Sequence, residues 1–324
     1  MATYKETVGT AVTNYAGDNP GAVEGELWYD STNSDFKYQY TSAVGAWSTG
    51  GNLNTGRSTS GTAGTGNTTG LVFGGTPSPG GALTESYNGT NWTELNDLNT
   101  PRNAMTGAGS ETAALAFGGT GPPPGLAVTE LWNGTNWTEV NDLNTGRSSL
   151  RGTGANNTAC LAIGGYDSSV SAKTESWNGT NWTEVNDLNV AKDYVGAGGT
   201  TTSALAAGGG PGTKNDTEIW NGTNWTETHN LNTSRYQLAG TGASNTDAIV
   251  FGGLTPPVTA VTEQFNGSGW TEVADLSTAR GAMQGSGNAT TGALSAGGET
   301  ATTADLTATE EWNSTSNVIK TLTD

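Results

Sequence analysis

The sequence predicts an all-β fold, a closed ring of small repeated sheets, on three observations. A unit of about 45 residues is written six times along the 324-residue chain. Its Gly-Gly pair begins at Gly74, Gly118, Gly164, Gly208, Gly252 and Gly297, at intervals of 44, 46, 44, 44 and 45 residues, and a Thr-Glu pair follows each, placing Glu85, Glu130, Glu175, Glu218, Glu263 and Glu310. The run before the glycines alternates small and large residues at period two, as in Ala114-Leu115-Ala116-Phe117 and Ala248-Ile249-Val250-Phe251, which is a strand pattern. No segment carries an extended 3.6-residue apolar period, so helix content should be near zero. Repetition of this length marks a propeller or a solenoid, because one unit cannot bury its apolar face without a neighbour.

The elements follow in order. Residues 1–46 lie outside the repeat. Within them Gly25-Glu26-Leu27-Trp28-Tyr29-Asp30 and Phe36-Lys37-Tyr38-Gln39-Tyr40 flank a polar Ser31–Asp35 segment and predict a hairpin. A lone hairpin is marginal in water, so it should dock on the ring or on another chain. Trp47 lies ten residues before Arg57, the interval that also joins Trp92 to Arg102, Trp137 to Arg147, Trp182 to Lys192, Trp225 to Arg235 and Trp270 to Arg280. It therefore reads as an outer strand lacking the three strands that should precede it. In the third unit Ala159–Ile163 is a strand, and Trp177-Asn178-Gly179-Thr180-Asn181-Trp182 is a hairpin, since Asn-Gly tolerates the positive φ of a tight turn and the flanking aromatics suit cross-strand packing. The small residues of each strand should let neighbouring sheets approach while Leu and Phe fill the other face. The last unit has Glu310-Glu311-Trp312 but no second Trp. The Trp47 strand is expected to complete it and close a six-unit ring, which would spare both ends an unpaired edge. The rival is that Val318-Ile319-Lys320 supplies that strand.

Gly-Gly, then Glu-x-aromatic-Asn, then Trp, then Asp-Leu and Arg resembles the kelch repeat of galactose-oxidase-like β-propellers, over roughly Trp47 to Asp324. The resemblance implies a six-bladed propeller, 47–324, of four-stranded antiparallel blades around a central channel, with 1–46 as an amino-terminal arm. The Leu-Asn-Thr-x-Arg blocks joined to Trp-Asn-Gly-Thr-Asn-Trp also resemble kelch-bearing virion proteins of tailed phages, and the aromatic hairpin resembles those near the start of phage fibre proteins. That implies an attachment module carried by Trp28, Tyr29, Phe36 and Tyr38, against the alternative of an extra strand layer on the ring.

Only 33% of residues are apolar and 50 are glycine, a composition that suits disorder in a chain without repeats, but eleven tryptophans can anchor a thin repeated core. Twelve basic against 30 acidic residues give a net charge of −18, so nucleic acid is not an expected partner. The acidity serves solubility. Cys160 is the single cysteine, which excludes an intramolecular disulfide. No apolar run reaches membrane-spanning length and Met1 to Pro20 has no signal-like apolar core, so the expectation is a chain made in a host cytoplasm and released in a virion. Asn88, Asn133, Asn178 and Asn221 match the glycosylation pattern, and the hairpin turn explains them better.

Catalysis is not expected. A galactose-oxidase-like copper site would need several imidazole, phenol and thiolate ligands, and His229 is the only histidine. No nucleophile-elbow motif accompanies it. Glycosidases need two carboxylates in different environments, whereas Glu85, Glu130, Glu175, Glu218, Glu263 and Glu310, like Glu94, Glu139, Glu184, Glu227 and Glu272, recur once per unit. The first set should bond between blades or pair with the once-per-unit Arg or Lys. Among carboxylates outside the repeat, Asp193 and Asp247 are the candidates. No cofactor or metal is expected.

The segments between Gly-Gly and Thr-Glu change completely from unit to unit while the Asn-Gly turns do not. In an antiparallel four-stranded blade these loops all emerge on one side of the disc. Loops on a rigid scaffold are where binding concentrates, although neutral drift would vary them equally. Candidate contact residues are Pro77, Pro79, Pro123, Tyr166, Asp167, Lys214 and Pro256. The expected role is a non-enzymatic virion structural protein, a tail-fibre or capsid-appendage component in several copies, joined to other virion proteins by its arm and facing a host glycan or protein with its loops. A carbohydrate-binding or scaffold propeller is the alternative and a polysaccharide-acting enzyme the third reading. Exposed aromatics on the loop face would favour sugar, and the loops named offer only Tyr166.

Overall fold

The computed structural model describes residues 12–17, 19, 26–42, 45–77, 80–120, 125–289, 292–314 and 316–321. The chain forms two units, one of Ala46–Asn313 and one joining Met1–Gly45 to Ser314–Asp324. The carboxy-terminal segment thus leaves the repeated unit, where a division at residue 47 had placed it.

Ala46–Asn313 holds six four-stranded antiparallel sheets, and among the described residues the only helical element is one 3-10 turn, Gly80–Ala82. The third sheet shows the pattern. Its strands are Arg151–Asn156, Ala159–Ile163, Thr174–Trp177 and Trp182–Val185, paired in that order. Trp177 stands opposite Trp182 across the last turn. There Asn178 Oδ1 accepts the N–H groups of Thr180 (3.0 Å) and Asn181 (2.9 Å), and Gly179 takes φ +92°. That conformation explains the Asn-Gly that recurs in five of the six units.

The sixth sheet closes the set. Its strands are Gln284–Ala289, Gly292–Ala296, Thr309–Asn313 and then Ala46–Thr49 from the other end of the repeats, with Trp312 opposite Trp47. Val318 and Ile319, in the strand Ser316–Thr321, instead pair with Tyr40 and Gln39 of the strand Asp35–Ser42. Of the two ways to complete the last sheet, the chain uses the Trp47 strand.

Every hydrophobic cluster lies between consecutive sheets. Leu115 and Phe117 of the second sheet pack on Cys160, Ala162, Trp177 and Trp182 of the third. Leu161 and Ile163 repeat this against Ala204, Ala206, Trp220 and Trp225 of the fourth. Leu294 and Ala296 of the sixth meet Val72, Tyr87 and Trp92 of the first, so the succession is a closed ring. The alternation read from the sequence has this cause: the large side chains of one strand fill the space left by the small ones of the next sheet. Each outer-strand indole then donates to the Thr of the Thr-Glu pair one sheet back, as Trp182 Nε1 does to Thr129 Oγ1 (3.1 Å) and Trp92 Nε1 to Thr309 Oγ1 (3.0 Å).

A second circle runs near the axis. Thr59, Ala104, Ser149, Tyr194, Gln237 and Ala282 each lie two residues after the recurring basic residue, and all take φ between 49° and 55°. Each donates its backbone N–H to the carbonyl of the preceding one, and Thr59 donates to Ala282 (2.9 Å), completing six bonds in a loop. Below it the inner strands touch backbone to backbone, which the glycines permit. A Cβ on Gly198 would stand 2.6 Å from Gly242 N and from Thr241 C. Gly198→Ala is expected to cost about 1–3 kcal/mol through forced backbone shifts, read as a lower urea midpoint. Gly66→Ala, with open space at its Cβ, should leave the midpoint unchanged.

The other unit is a four-stranded sheet in the order Thr13–Tyr15, Leu27–Asp30, Asp35–Ser42, Ser316–Thr321, with the first pair parallel. The expected hairpin is its centre, and the two further strands give it the support a hairpin lacks alone. Asp30 ties its turn together. It accepts from Gly17 N (2.7 Å), Thr32 N (2.9 Å) and Asn33 Nδ2 (2.8 Å) and pairs with Lys37 (2.8 Å), whose ammonium holds the carboxyl well below its usual range.

Candidate functional site

The recurring glutamates are structural clamps. Glu175 Oε1 pairs with Arg147 Nη2 at 3.0 Å, and Oε2 accepts Asn144 N (2.7 Å) and Asn144 Nδ2 (2.9 Å). Asn144 belongs to the connection arriving from the previous sheet, so each glutamate fastens that connection to its own third strand. Arg147 Nη1 also donates to Gly164 O (2.7 Å) and Lys173 O (2.6 Å). Burial lowers the guanidinium pKa, and the Glu175 charge opposes that. Arg57–Glu85, Arg102–Glu130, Arg235–Glu263 and Arg280–Glu310 repeat the pair. Where lysine replaces arginine, Lys192 pairs with Glu218 (3.3 Å) and also with Asp216, which occupies the place of Lys173 or Val261 in the neighbouring units. An ammonium lacks the second arm of the guanidinium fork, and the extra carboxylate compensates. Glu94, Glu139, Glu184, Glu227 and Glu272 are exposed on the outermost strands, where charge guards an unpaired sheet edge.

The loop side is built differently. Isolated bridges join Ser58 to Thr76, Ser148 to Tyr166, Asp193 to Gly210, Tyr236 to Leu254 and Gly281 to Glu299. The segment after each basic residue therefore emerges on the same face as the variable loops and enlarges it. Over the fourth and fifth sheets this face opens a cleft of about 480 Å³, lined by Asp193, Tyr194, Gly210, Pro211, Tyr236 and Pro256. Asp193 Oδ1 lies where a Cβ on Gly210 would stand 2.3 Å away, so only glycine fits beside it. The carboxylate accepts from the Gly210 backbone and its own, and burial raises its pKa despite them.

Of the residues expected to make contacts, Pro256 lines this cleft. Pro77 is exposed over the first sheet. Tyr166, 40% exposed, and half-buried Asp167, paired with Lys173 at 3.4 Å, stand over the third. Lys214 is half-buried beside the cleft, its N–H on Gly209 O (3.0 Å). Pro79 and Pro123 lie outside the described residues. His229 is exposed. Asp247 begins the second strand of the fifth sheet, at the end opposite Asp193, so the two carboxylates share no site. In the other unit Trp28 is fully buried, its Nε1 on Gly17 O (3.3 Å), which makes it core rather than contact surface; Phe36 is 45% exposed, and Tyr29 and Tyr38 are half-buried.

Sequence reasoning singled out Asp193 only as a carboxylate that breaks the repeat, and it missed Tyr194 and Tyr236 beside it. The signal was present, since the two residues after the basic one read Ser-Thr, Asn-Ala, Ser-Ser, Asp-Tyr, Tyr-Gln and Gly-Ala in the six units. It also missed Arg151, whose counterparts are Gly61, Thr106, Gly196, Ala239 and Gln284. The Arg151 side chain crosses the axis to Val195 O (2.7 Å), Leu238 O (2.8 Å) and Gln284 Oε1, and burial lowers its pKa to about 10.

No protein-family model matches the chain, and no curated protein sequence does. Among solved structures, one titled "Structure of YjhT" matches it with a TM-score of 0.65 at 13% identity, covering 80% of this chain and 95% of that one. At such identity the likeness is one of fold alone, and with the closed succession of four-stranded sheets it makes the chain an all-β protein of β-propeller-like fold.

Proposed function

We propose that the chain is a six-bladed, kelch-like propeller that acts without catalysis as a virion structural protein, a tail-fibre or capsid-appendage component whose loop face recognises a host or partner molecule. One observation carries the recognition part. Residues that recur from unit to unit are committed to clamps and cores, whereas those that differ gather at one end of the sheets and shape the cleft there. Recognition needs such local asymmetry on a rigid support. The particle part rests on the resemblance of the repeats and of the aromatic hairpin to phage virion proteins. In that reading the unit containing Tyr29, Phe36 and Tyr38 joins other virion proteins, and several copies convert weak contacts into avidity.

The carbohydrate-binding alternative gains from Tyr194 and Tyr236, which add aromatic surface to Tyr166 on the loop side. A polysaccharide-acting enzyme would need a second, inequivalent carboxylate in the cleft beside Asp193.

The test has two arms. Imaging purified particles should place the propeller outermost and the smaller unit against a different virion protein. Replacing 211–213 and 255–257 by Gly-Ser segments should lower attachment to the target surface at least tenfold with an unchanged thermal midpoint. Full attachment after that exchange would overturn the assignment of the loop face.

A further inference from the structure

We propose that the cleft over the fourth and fifth sheets receives a cationic side chain, lysine or arginine, from a basic partner protein. The inference rests on the loop face being the recognition face and names the chemistry it takes.

The distribution of charge supports it first. Between Ala46 and Asn313 the chain has nine Lys and Arg against 23 Asp and Glu, a difference of −14. Seven of the nine cations are buried, six in the glutamate clamps and Arg151 on the axis. Lys173 pairs with Asp167, which leaves Lys214. Positive charge is thus held inside while the surface carries carboxylates almost alone, and a surface of one sign selects and steers a partner of the other.

The cleft adds local reasons. Asp193 is half-buried, held by backbone bonds to Gly210, and burial raises its pKa, with Lys214 the smallest of the influences opposing that. A carboxylate so placed gains most from a cation that replaces the lost solvation. Tyr194 and Tyr236 line the cleft, and an aromatic face attracts an ammonium or guanidinium group by about 0.5–2 kcal/mol. Pro211 and Pro256 stiffen the rim, which lowers the entropy lost on contact. A neutral sugar would use the rings and leave the field unused.

The probe is Nα-acetyl-lysine-N-methylamide, titrated into the full-length chain labelled for NMR, beside its uncharged norleucine counterpart and the neutral trisaccharide maltotriose. Saturable shifts at the amides of Gly210, Gly212 and Thr213 are expected with the lysine probe alone, weakening as salt is added. Asp193→Asn should reduce affinity at least tenfold, and Tyr236→Leu severalfold, while Glu94→Gln on a distant edge strand leaves it unchanged. Equal binding of norleucine, tighter binding of maltotriose, or indifference to Asp193→Asn in a variant of native spectrum would overturn the proposal. The two readings fail separately. A chain that ignores lysine yet loses attachment on loop exchange keeps its recognition face, and one that binds lysine at Asp193 yet attaches normally after the exchange does not.

Discussion

Arg147→Met is expected to lower the unfolding free energy by about 3–5 kcal/mol, the range for removing one partner of a buried ion pair. The cause is the state of Glu175 once the guanidinium is gone. Its carboxylate stays inside the third sheet, keeping the Asn144 donors at 2.7 and 2.9 Å but no countercharge. Gly164 O loses its Arg147 donor at the same time, and Lys173 O keeps only the Gly164 N–H (2.9 Å). Glu184→Gln, directly across the strand pair from Glu175 but exposed on the outermost strand, is the contrast and should stay within about 0.5 kcal/mol. Urea denaturation followed by tryptophan fluorescence measures both. Replacing both partners, Arg147→Met with Glu175→Leu, should recover only part of the loss. An apolar pair can match a buried ion pair, yet here Asn144 N and Thr145 N (3.4 Å from Oε1) would be left without an acceptor. A cost below about 1 kcal/mol for Arg147→Met would mean that the clamps do not hold the connections between sheets.

The repeats made most of this architecture legible because six copies of one unit compare themselves. The Asn-Gly hairpin, the pairing of the recurring glutamate with the recurring cation and the strand around Trp47 all follow from fixed intervals, and fixed intervals reflect contacts that every copy must make. Residues that obey no interval were harder to place. Val318-Ile319-Lys320 reads as a strand, but period-two alternation does not say which edge a strand will join, and it joins Asp35–Ser42 of the other unit. Tyr194 and Tyr236 were hidden by their position one or two residues after a recurring cation, inside a segment that looks like repeat framework. Arg151 was hidden in the same way: a cation at the head of an inner strand declares its role only once the ring brings Val195, Leu238 and Gln284 around it.

Removing four residues should separate a closed ring from an open one. A chain of residues 46–313 keeps the strand Ala46–Thr49, and one of residues 50–313 lacks it. In the first, Trp47 lies 5.5 Å from the ring of Trp312 and 4.8 Å from that of Phe251, and its Nε1 donates to Thr262 Oγ1 at 3.1 Å. In the second, the strand Thr309–Asn313 becomes an unprotected edge with unpaired backbone groups, and Trp312 loses its cover. Exposed edges invite pairing with a second chain, so the shorter protein should associate with rising concentration, seen by light scattering, and melt at lower temperature. The longer one should remain monodisperse and unfold cooperatively. Trp47→Ala in the full chain tests the packing without exposing the edge, and should cost about 3 kcal/mol, the lower end for an aromatic truncated in a core, because the indole is only half-buried. Identical behaviour of the two truncated chains would mean that this strand is dispensable, and the neighbour-to-neighbour clusters around the ring would then have to hold the sixth sheet to the first by themselves.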